Sequence, residues 1–137
     1  MIELQTQAGM AVELRDVVRV YGGRQARVRA LDGVGIGFVR GTWTAVMGPS
    51  GSGKSTLLHC AAGLERPTSG QVLLGDRDLA VASERELTRL RRQDVGFVFQ
   101  SFNLLGSLTA EQNVALPLRL AGRKVSMTDV RQILTDV

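Results

Sequence analysis

Several residue types are scarce in this sequence, and each scarcity excludes a class of protein. A single cysteine, Cys60, excludes a disulfide within the 137-residue chain, and its apolar neighbours predict a small buried side chain. Aromatic residues make up only 4%, which argues against a surface that stacks nucleic-acid bases. No uncharged apolar run approaches the roughly 20 residues that cross a bilayer, and residues 1–7 lack the pattern of a secretory signal. We therefore expect a soluble domain that reaches a membrane only through a partner.

Lysine is also scarce, and arginine supplies almost all of the positive charge. The chain has 15 arginines and 2 lysines against 13 acidic residues, which gives a net charge of +4 and a pI near 10.2. Much of this charge lies in residues 85–92, which are typical of the solvated face of a helix. A basic nucleic-acid patch is the alternative interpretation of the same residues. We expect no nucleic-acid partner.

One glycine-rich segment predicts a phosphate-binding loop. It consists of Gly48, Pro49, Ser50, Gly51, Ser52, Gly53, Lys54, Ser55 and Thr56. These residues fill the template G-x-x-x-x-G-K-[ST]. Residues 42–47 before it predict a buried strand, and residues 54–62 predict a helix with Leu57, Leu58 and Ala61 on one face. Strand, loop and helix follow in the order that such a site requires.

The residue types of this segment match the chemistry of a nucleoside triphosphate. Glycines let successive backbone N–H groups point at the β-phosphate, at the positive end of the following helix. The ammonium of Lys54 can bridge the β- and γ-phosphates, and the hydroxyl of Ser55 can bind Mg²⁺. The segment therefore predicts a site for a nucleoside triphosphate and Mg²⁺.

The rest of the chain alternates predicted strands and helices, which indicates an α/β fold. Residues 1–10 are predicted to be a loose leader, with Met10 an alternative start, and residues 11–137 one domain. Strands are expected at 11–20, 27–39, 71–74 and 95–99, the last one buried. Helices are expected after the caps Ser83, Thr109 and Ser126, the second of them broken or kinked at Pro117. Trp43 is predicted to be a core residue, and His59 a structural one.

Together these motifs resemble the nucleotide-binding domain of ABC transporters. Besides the loop, Gln100 at a predicted strand end resembles the Q-loop glutamine of that family, and Tyr21, 27 residues before Gly48, matches its adenine-stacking position. The segment 99–122 is similar to the subgroup of lipoprotein release and macrolide efflux. The resemblance covers residues 11–137. It implies a P-loop NTPase fold with an N-terminal antiparallel β part and an incomplete RecA-like core.

The resemblance also implies roles for residues and partners. Tyr21 would stack on the adenine of ATP, Lys54 would act on the phosphates, and Gln100 would direct its amide oxygen at Mg²⁺ or the attacking water. Residues after Gln100 would touch a membrane permease, of the FtsX-like type in this subgroup. A second nucleotide-binding domain would complete a head-to-tail dimer. The protein would then lie on the cytoplasmic face of the membrane, held there by the permease.

Three motifs of the family do not occur in the 137 residues: the Leu-Ser-Gly-Gly-Gln signature, an apolar strand ending in Asp-Glu, and a later switch histidine. We therefore expect the N-terminal portion of an ATPase subunit, marginally stable, which binds nucleotide but hydrolyses it at a near-background rate. A non-catalytic nucleotide-binding fragment or truncated gene product is the alternative. A small-molecule kinase or GTPase is a third possibility, but no base-specificity motif of the Asn-Lys-x-Asp kind and no Arg-rich lid supports it.

Overall fold

A computed structural model of the protein describes residues 9–23 and 26–137. Most of the predicted leader, residues 1–8, lies outside them, and the first strand already includes Met10. The elements in chain order are β1 (Met10–Tyr21), β2 (Val28–Val39), α1 (Lys54–Ala61), β3 (Ser69–Leu74), β4 (Arg77–Asp78), α2 (Glu84–Gln93), α3 (Ala110–Leu120) and α4 (Met127–Thr135). None of the helices in the described ranges has the length and apolar character that a bilayer crossing demands. The chain divides into two compact units at Leu87, and each is described by itself.

The first unit is built on an antiparallel sheet with strand order β2-β1-β3-β4. In the central strand β1, Leu14 lies opposite Ile36 of β2 and Val72 of β3. Leu14, Val17 and Val72 are almost completely buried. Strict alternation would place Leu14 and Val17 on opposite faces. An irregularity in the pairing between them, with Asp16 at a φ of 49°, brings both to the core face.

Helix α1 packs on this sheet and contacts β1, β2 and β3. Leu57 and Cys60 are buried, so the prediction of a buried cysteine is confirmed, and burial raises the pKa of the Cys60 thiol. Leu58, predicted to share the apolar face, is instead exposed. The buried face of the helix therefore runs through residues 57 and 60, three positions apart, as one helical face requires.

Two predicted buried strands do not form among the described residues. Residues 42–47 and 95–99 have no strand assignment, and the side chains of Trp43 and Val98 are almost fully exposed. The prediction of Trp43 as a core residue was therefore wrong. A strand depends on hydrogen bonds to a neighbouring strand. Neither segment pairs with another strand in the described part of the chain.

The helix starts agree closely with the predicted caps. Ser83 and Glu86 form a capping box at α2, in which the Glu86 carboxylate accepts from the Ser83 N–H at 2.7 Å and the Glu86 N–H donates to the Ser83 hydroxyl at 3.3 Å. Thr109 and Gln112 form the same arrangement at α3. Ser126 accepts a hydrogen bond from a first-turn N–H of α4. These caps satisfy amide groups that have no partner inside the helix.

The second unit contains α3 and α4, which pack against each other. Ala115 of α3 and Val130 of α4 are buried, and the Nε of Arg131 lies 2.8 Å from a carboxylate oxygen of Glu111. Helix α3 continues through Pro117 to Leu120, so the helix is not broken at the proline, and the alternative of a kink there stays a prediction. Pro117 is the eighth of eleven residues of this helix, so its nitrogen donates no hydrogen bond and its ring crowds the carbonyl of Asn113, yet the helix continues.

Replacing Leu14 by alanine tests the core of the first unit. Leu14 is 1% exposed, so Leu14→Ala should lower the free energy of unfolding by about 2–5 kcal/mol, through lost burial and the cavity left behind. Urea unfolding followed by circular dichroism measures the difference. Leu104→Ala is the matched control, because Leu104 is 70% exposed and its removal should change stability by less than about 0.5 kcal/mol. Equal losses in both variants would contradict the assignment of the core.

Candidate nucleotide-binding site

The phosphate-binding loop (residues 48–56) has a backbone path that depends on glycine. Gly53 has a φ of 86°, and a Cβ at this position would lie 2.3 Å from the carbonyl oxygen of Ala30 in β2. Gly51 also has a positive φ, of 79°. The N–H of Ser52 donates to the carbonyl of Pro49 at 3.3 Å, which closes a turn inside the loop. Because only glycine adopts these conformations without strain, the glycine spacing follows from the shape of the loop.

The loop wraps around its own lysine. The Lys54 ammonium donates to the carbonyl oxygens of Gly48 at 2.9 Å and Pro49 at 2.6 Å, and lies 3.4 Å from the Ser52 hydroxyl. Lys54 is also the first residue of α1, whose N-terminus carries no side-chain cap and no acidic residue in the first turn. A positive charge and uncapped helix N–H groups therefore meet at one place. This arrangement fits a polyphosphate anion.

Two hydroxyl groups follow the lysine at the start of α1. Ser55 is exposed, so its hydroxyl is accessible to a metal ion carried by a phosphate chain. Thr56 is half-buried, and its hydroxyl oxygen lies 3.4 Å from the hydroxyl of Tyr21. The structure thus brings Tyr21, at the end of β1, next to the phosphate-binding loop.

The side chain of Tyr21 is held on two sides. Its hydroxyl donates a short hydrogen bond to the carboxylate of Glu65. The guanidinium carbon of Arg19 lies 4.6 Å from the ring centroid. Since one face of the ring is covered by arginine, only the opposite face can receive a base. Adenine stacking on Tyr21 remains a prediction.

Glu65, a residue that was not predicted to belong to the site, connects several of these groups. It contacts Tyr21, the ring Nδ1 of His59 at 3.2 Å, and the Nε of Arg19 at 3.3 Å. Burial raises the pKa of Glu65, but hydrogen bonds from Tyr21 and His59 and the charge of Arg19 outweigh it, so the pKa lies below its ordinary value of 4.5. The carboxylate therefore stays ionised at neutral pH. Its position in the sequence gave no motif that could have revealed it.

Gln100 belongs to the second unit, where it is exposed in a turn after residues 95–99. Its predicted role at Mg²⁺ or the attacking water remains a prediction. The segment that follows contains two non-glycine residues with positive φ, Phe102 at 57° and Asn103 at 49°. Phe102, Leu104 and Leu105 all expose apolar side chains.

Asn113 of α3 holds the end of this segment in place. In the sequence it was considered only as part of the segment 99–122, and no role was predicted for its side chain. Its side-chain oxygen accepts from the N–H of Leu105 at 2.9 Å. Its side-chain nitrogen lies within 3.2 Å of the carbonyl oxygens of Leu105, Leu108 and Thr109. One amide thus satisfies both backbone groups of Leu105, which fixes the approach of the segment to α3.

Comparisons with known proteins give one consistent family. A family model described as ABC transporter matches residues 31–137. The methionine import ATP-binding protein MetN of Rhizobium johnstonii is 47% identical over 124 residues, which are 88% of this chain and 33% of MetN. The macrolide export ATP-binding/permease protein MacB of Hyphomonas neptunium is 43% identical over 84% of this chain and 18% of MacB. A dimeric structure of the ATP-binding cassette MJ0796 bound to ADP and Pi matches with 39% identity and a TM-score of 0.81, over 88% of this chain and 53% of that one.

These matches confirm the predicted fold, a P-loop NTPase of the ABC type. The chain spans a third or less of the length of these two relatives and about half of the solved cassette. Import and export proteins match with similar identities, 47% and 43%, so the comparison does not separate the predicted subgroup from the methionine importers.

The interactions of Glu65 predict a pH dependence of stability. Because its pKa is lower in the folded chain than the ordinary 4.5, its stabilising contribution should be complete above pH 4.5 and disappear as the pH falls through the folded value. Glu65→Gln lacks a titrating group. The unsubstituted chain and Glu65→Gln therefore differ in their free energy of unfolding, and this difference should become smaller as the pH falls from 6 to 3. Urea titrations measure it. A difference that stays constant over this range would show that the charge of Glu65 contributes nothing.

Two substitutions of Asn113, which remove different numbers of its hydrogen bonds, test whether its side chain fixes the backbone of Leu105. Asn113→Asp keeps an acceptor for the Leu105 N–H but loses both side-chain donors, whereas Asn113→Ala loses all four contacts. Hydrogen exchange of the Leu105 amide should accelerate about tenfold in Asn113→Ala and less in Asn113→Asp. Exchange at Val130 in α4 serves as the internal control. Unchanged exchange at Leu105 in both variants would remove the assigned role.

Proposed function

The chain belongs to the ABC transporter family, and from that premise we propose that it binds MgATP in the phosphate-binding loop and serves a membrane transporter. The observation that carries the proposal is the position of the Lys54 ammonium, held by the carbonyls of Gly48 and Pro49 at the start of α1. This places a fixed cation where the loop N–H groups and the helix N-terminus converge. The nucleotide-bound cassette among the solved relatives supports the choice of ligand.

Each residue has a defined task in this proposal. Backbone N–H groups of residues 53–55, at the start of α1, bind the β-phosphate, and Lys54 neutralises charge on the β- and γ-phosphates. Ser55 would supply a hydroxyl ligand to Mg²⁺. Bound Mg²⁺ withdraws charge from the phosphate oxygens. The free face of Tyr21 binds the adenine ring.

For these 137 residues we propose nucleotide binding with hydrolysis near the background rate. The reaction needs a group that orients the attacking water, and no apolar run ending in Asp-Glu occurs in the sequence. The non-catalytic alternative has the same phosphate-binding loop and differs only in turnover. For the purified chain, both interpretations predict that phosphate is released no faster than by Lys54→Ala, which a phosphate-release assay measures. A rate well above that of the variant would show that these residues alone contain a hydrolytic centre.

The partners in the proposal are a membrane permease and a second nucleotide-binding domain. The segment after Gln100 exposes Phe102, Leu104 and Leu105, which suit a contact with an apolar helix of a permease. The proposal of an FtsX-like permease rests on the similarity of residues 99–122 to the macrolide efflux subgroup. The dimeric cassette supports the second domain. The chain would act on the cytoplasmic face of the membrane through its permease.

Replacement of the loop lysine tests nucleotide binding. Lys54→Ala should weaken MgATP binding at least about tenfold, because it removes charge-assisted contacts to phosphate. Isothermal titration calorimetry of the full chain gives both dissociation constants. Lys124→Ala is the matched control, since Lys124 is the chain's other lysine and is exposed in the irregular segment before α4. The proposal fails if Lys54→Ala and Lys124→Ala bind MgATP equally well.

A further inference from the structure

The carboxylate of Glu65 joins two elements of the first unit. One oxygen, Oε2, accepts the hydrogen bond from Tyr21 and lies 3.3 Å from the Nε of Arg19, and both of these residues belong to β1. The other oxygen, Oε1, lies 3.2 Å from the Nδ1 of His59 in α1. Both oxygens are therefore occupied, one by the strand and one by the helix.

The backbone of Glu65 is tied to the same helix. The N–H groups of Leu64 and Glu65 both donate to the carbonyl of His59, at 2.9 and 3.2 Å. The Glu65 side chain is 28% exposed, so its contacts are partly shielded from water. The carboxylate thus has a fixed position relative to α1, the helix that opens with Lys54.

Because the Glu65 carboxylate has a fixed position, its contact with Tyr21 restrains the orientation of the tyrosine ring. The Glu65 hydrogen bond fixes the hydroxyl end, Arg19 covers one face, and the hydroxyl of Thr56 lies 3.4 Å from that of Tyr21. Without the Glu65 contact the ring could rotate away from the loop, held only by Arg19 and one long hydrogen bond. A freely rotating ring would lose conformational entropy when a base binds to it. Because Glu65 already orients the ring, this entropy is lost before binding and does not weaken it.

We propose that Glu65 is a positioning residue that orients the Tyr21 ring for the nucleotide base and so couples base recognition to the phosphate-binding helix. Glu65 itself touches no part of the nucleotide in this arrangement. The inference rests on the proposed function, because it concerns the base of the same ligand. Its effect should be confined to ligands that carry a base.

Two ligands and a mutant cycle test the coupling. The full chain, Glu65→Gln, Tyr21→Phe and the double variant are titrated by calorimetry with MgATP and with magnesium tripolyphosphate, which has no base. Glu65→Gln should weaken MgATP binding about fivefold and leave tripolyphosphate binding unchanged. Tyr21→Phe, which removes only the hydroxyl, should have a similar effect. The double variant should lose no more than Tyr21→Phe alone, because Glu65→Gln replaces a charged acceptor by a neutral one in the same hydrogen bond that Tyr21→Phe removes.

A nucleotide-free measurement examines the contact itself. The chain contains one tyrosine, so a ¹³Cζ-tyrosine label gives a single resonance. This resonance should shift in Glu65→Gln. Glu111→Gln is the matched control, since Glu111 also accepts from an arginine Nε, at 2.8 Å, but lies in α3 of the second unit. The resonance should stay in place in that variant.

The outcomes separate the inference from the proposed function. Equal weakening of both ligands by Glu65→Gln, multiplying effects in the double variant, or an unmoved tyrosine resonance would each overturn the positioning role. If the unsubstituted chain binds tripolyphosphate as tightly as ATP, the phosphate site stands and the inference fails. If it binds neither ligand, the proposed function fails, and the base-positioning role fails with it.

Discussion

The close approach of Gly53 to the carbonyl oxygen of Ala30 is the constraint on which the first unit depends. A side chain cannot fit between them, so the loop passes directly beside β2 before α1 begins. This close approach of Gly53 to β2 fixes where α1 starts. It therefore also fixes the position of the Lys54 ammonium. It also sets how α1 lies on the sheet, because Leu57 and Cys60 become buried from the same starting point. Binding chemistry and core packing therefore share one backbone contact.

The sheet contributes to the site through its central strand. β1 buries Leu14 and Val17, which flank the irregularity at Asp16, and ends at Tyr21, beside the start of α1. The same strand thus forms the core and carries the aromatic ring next to the loop. A change in its register would move both together, because side-chain position along a strand is set by pairing. This explains how an ordinary antiparallel sheet can determine the geometry of a ligand site.

Sequence reasoning succeeded where structure is determined by nearby residues. The start of α1 after the glycine-rich loop, the caps at Ser83, Thr109 and Ser126, and the strands predicted at 11–20, 27–39 and 71–74 follow from short-range patterns. It failed where distant residues decide. Residues 42–47 and 95–99 have the composition of strands, but pairing requires a neighbour that composition does not reveal. Glu65 was missed because its partners, Arg19 and Tyr21, are more than forty positions away and no spacing rule connects them.

The exposure of Trp43 has a practical consequence. It is the only tryptophan of the chain and lies in the segment that leads into the phosphate-binding loop, with its indole in full contact with water. A β-strand that pairs with residues 42–47 would bring new side chains alongside this ring, and those that pack on it would exclude solvent. Its emission would then shift to shorter wavelength and resist quenching by iodide. The protein thus carries an intrinsic fluorophore that reports, without labelling, whether the sheet around its loop has been completed.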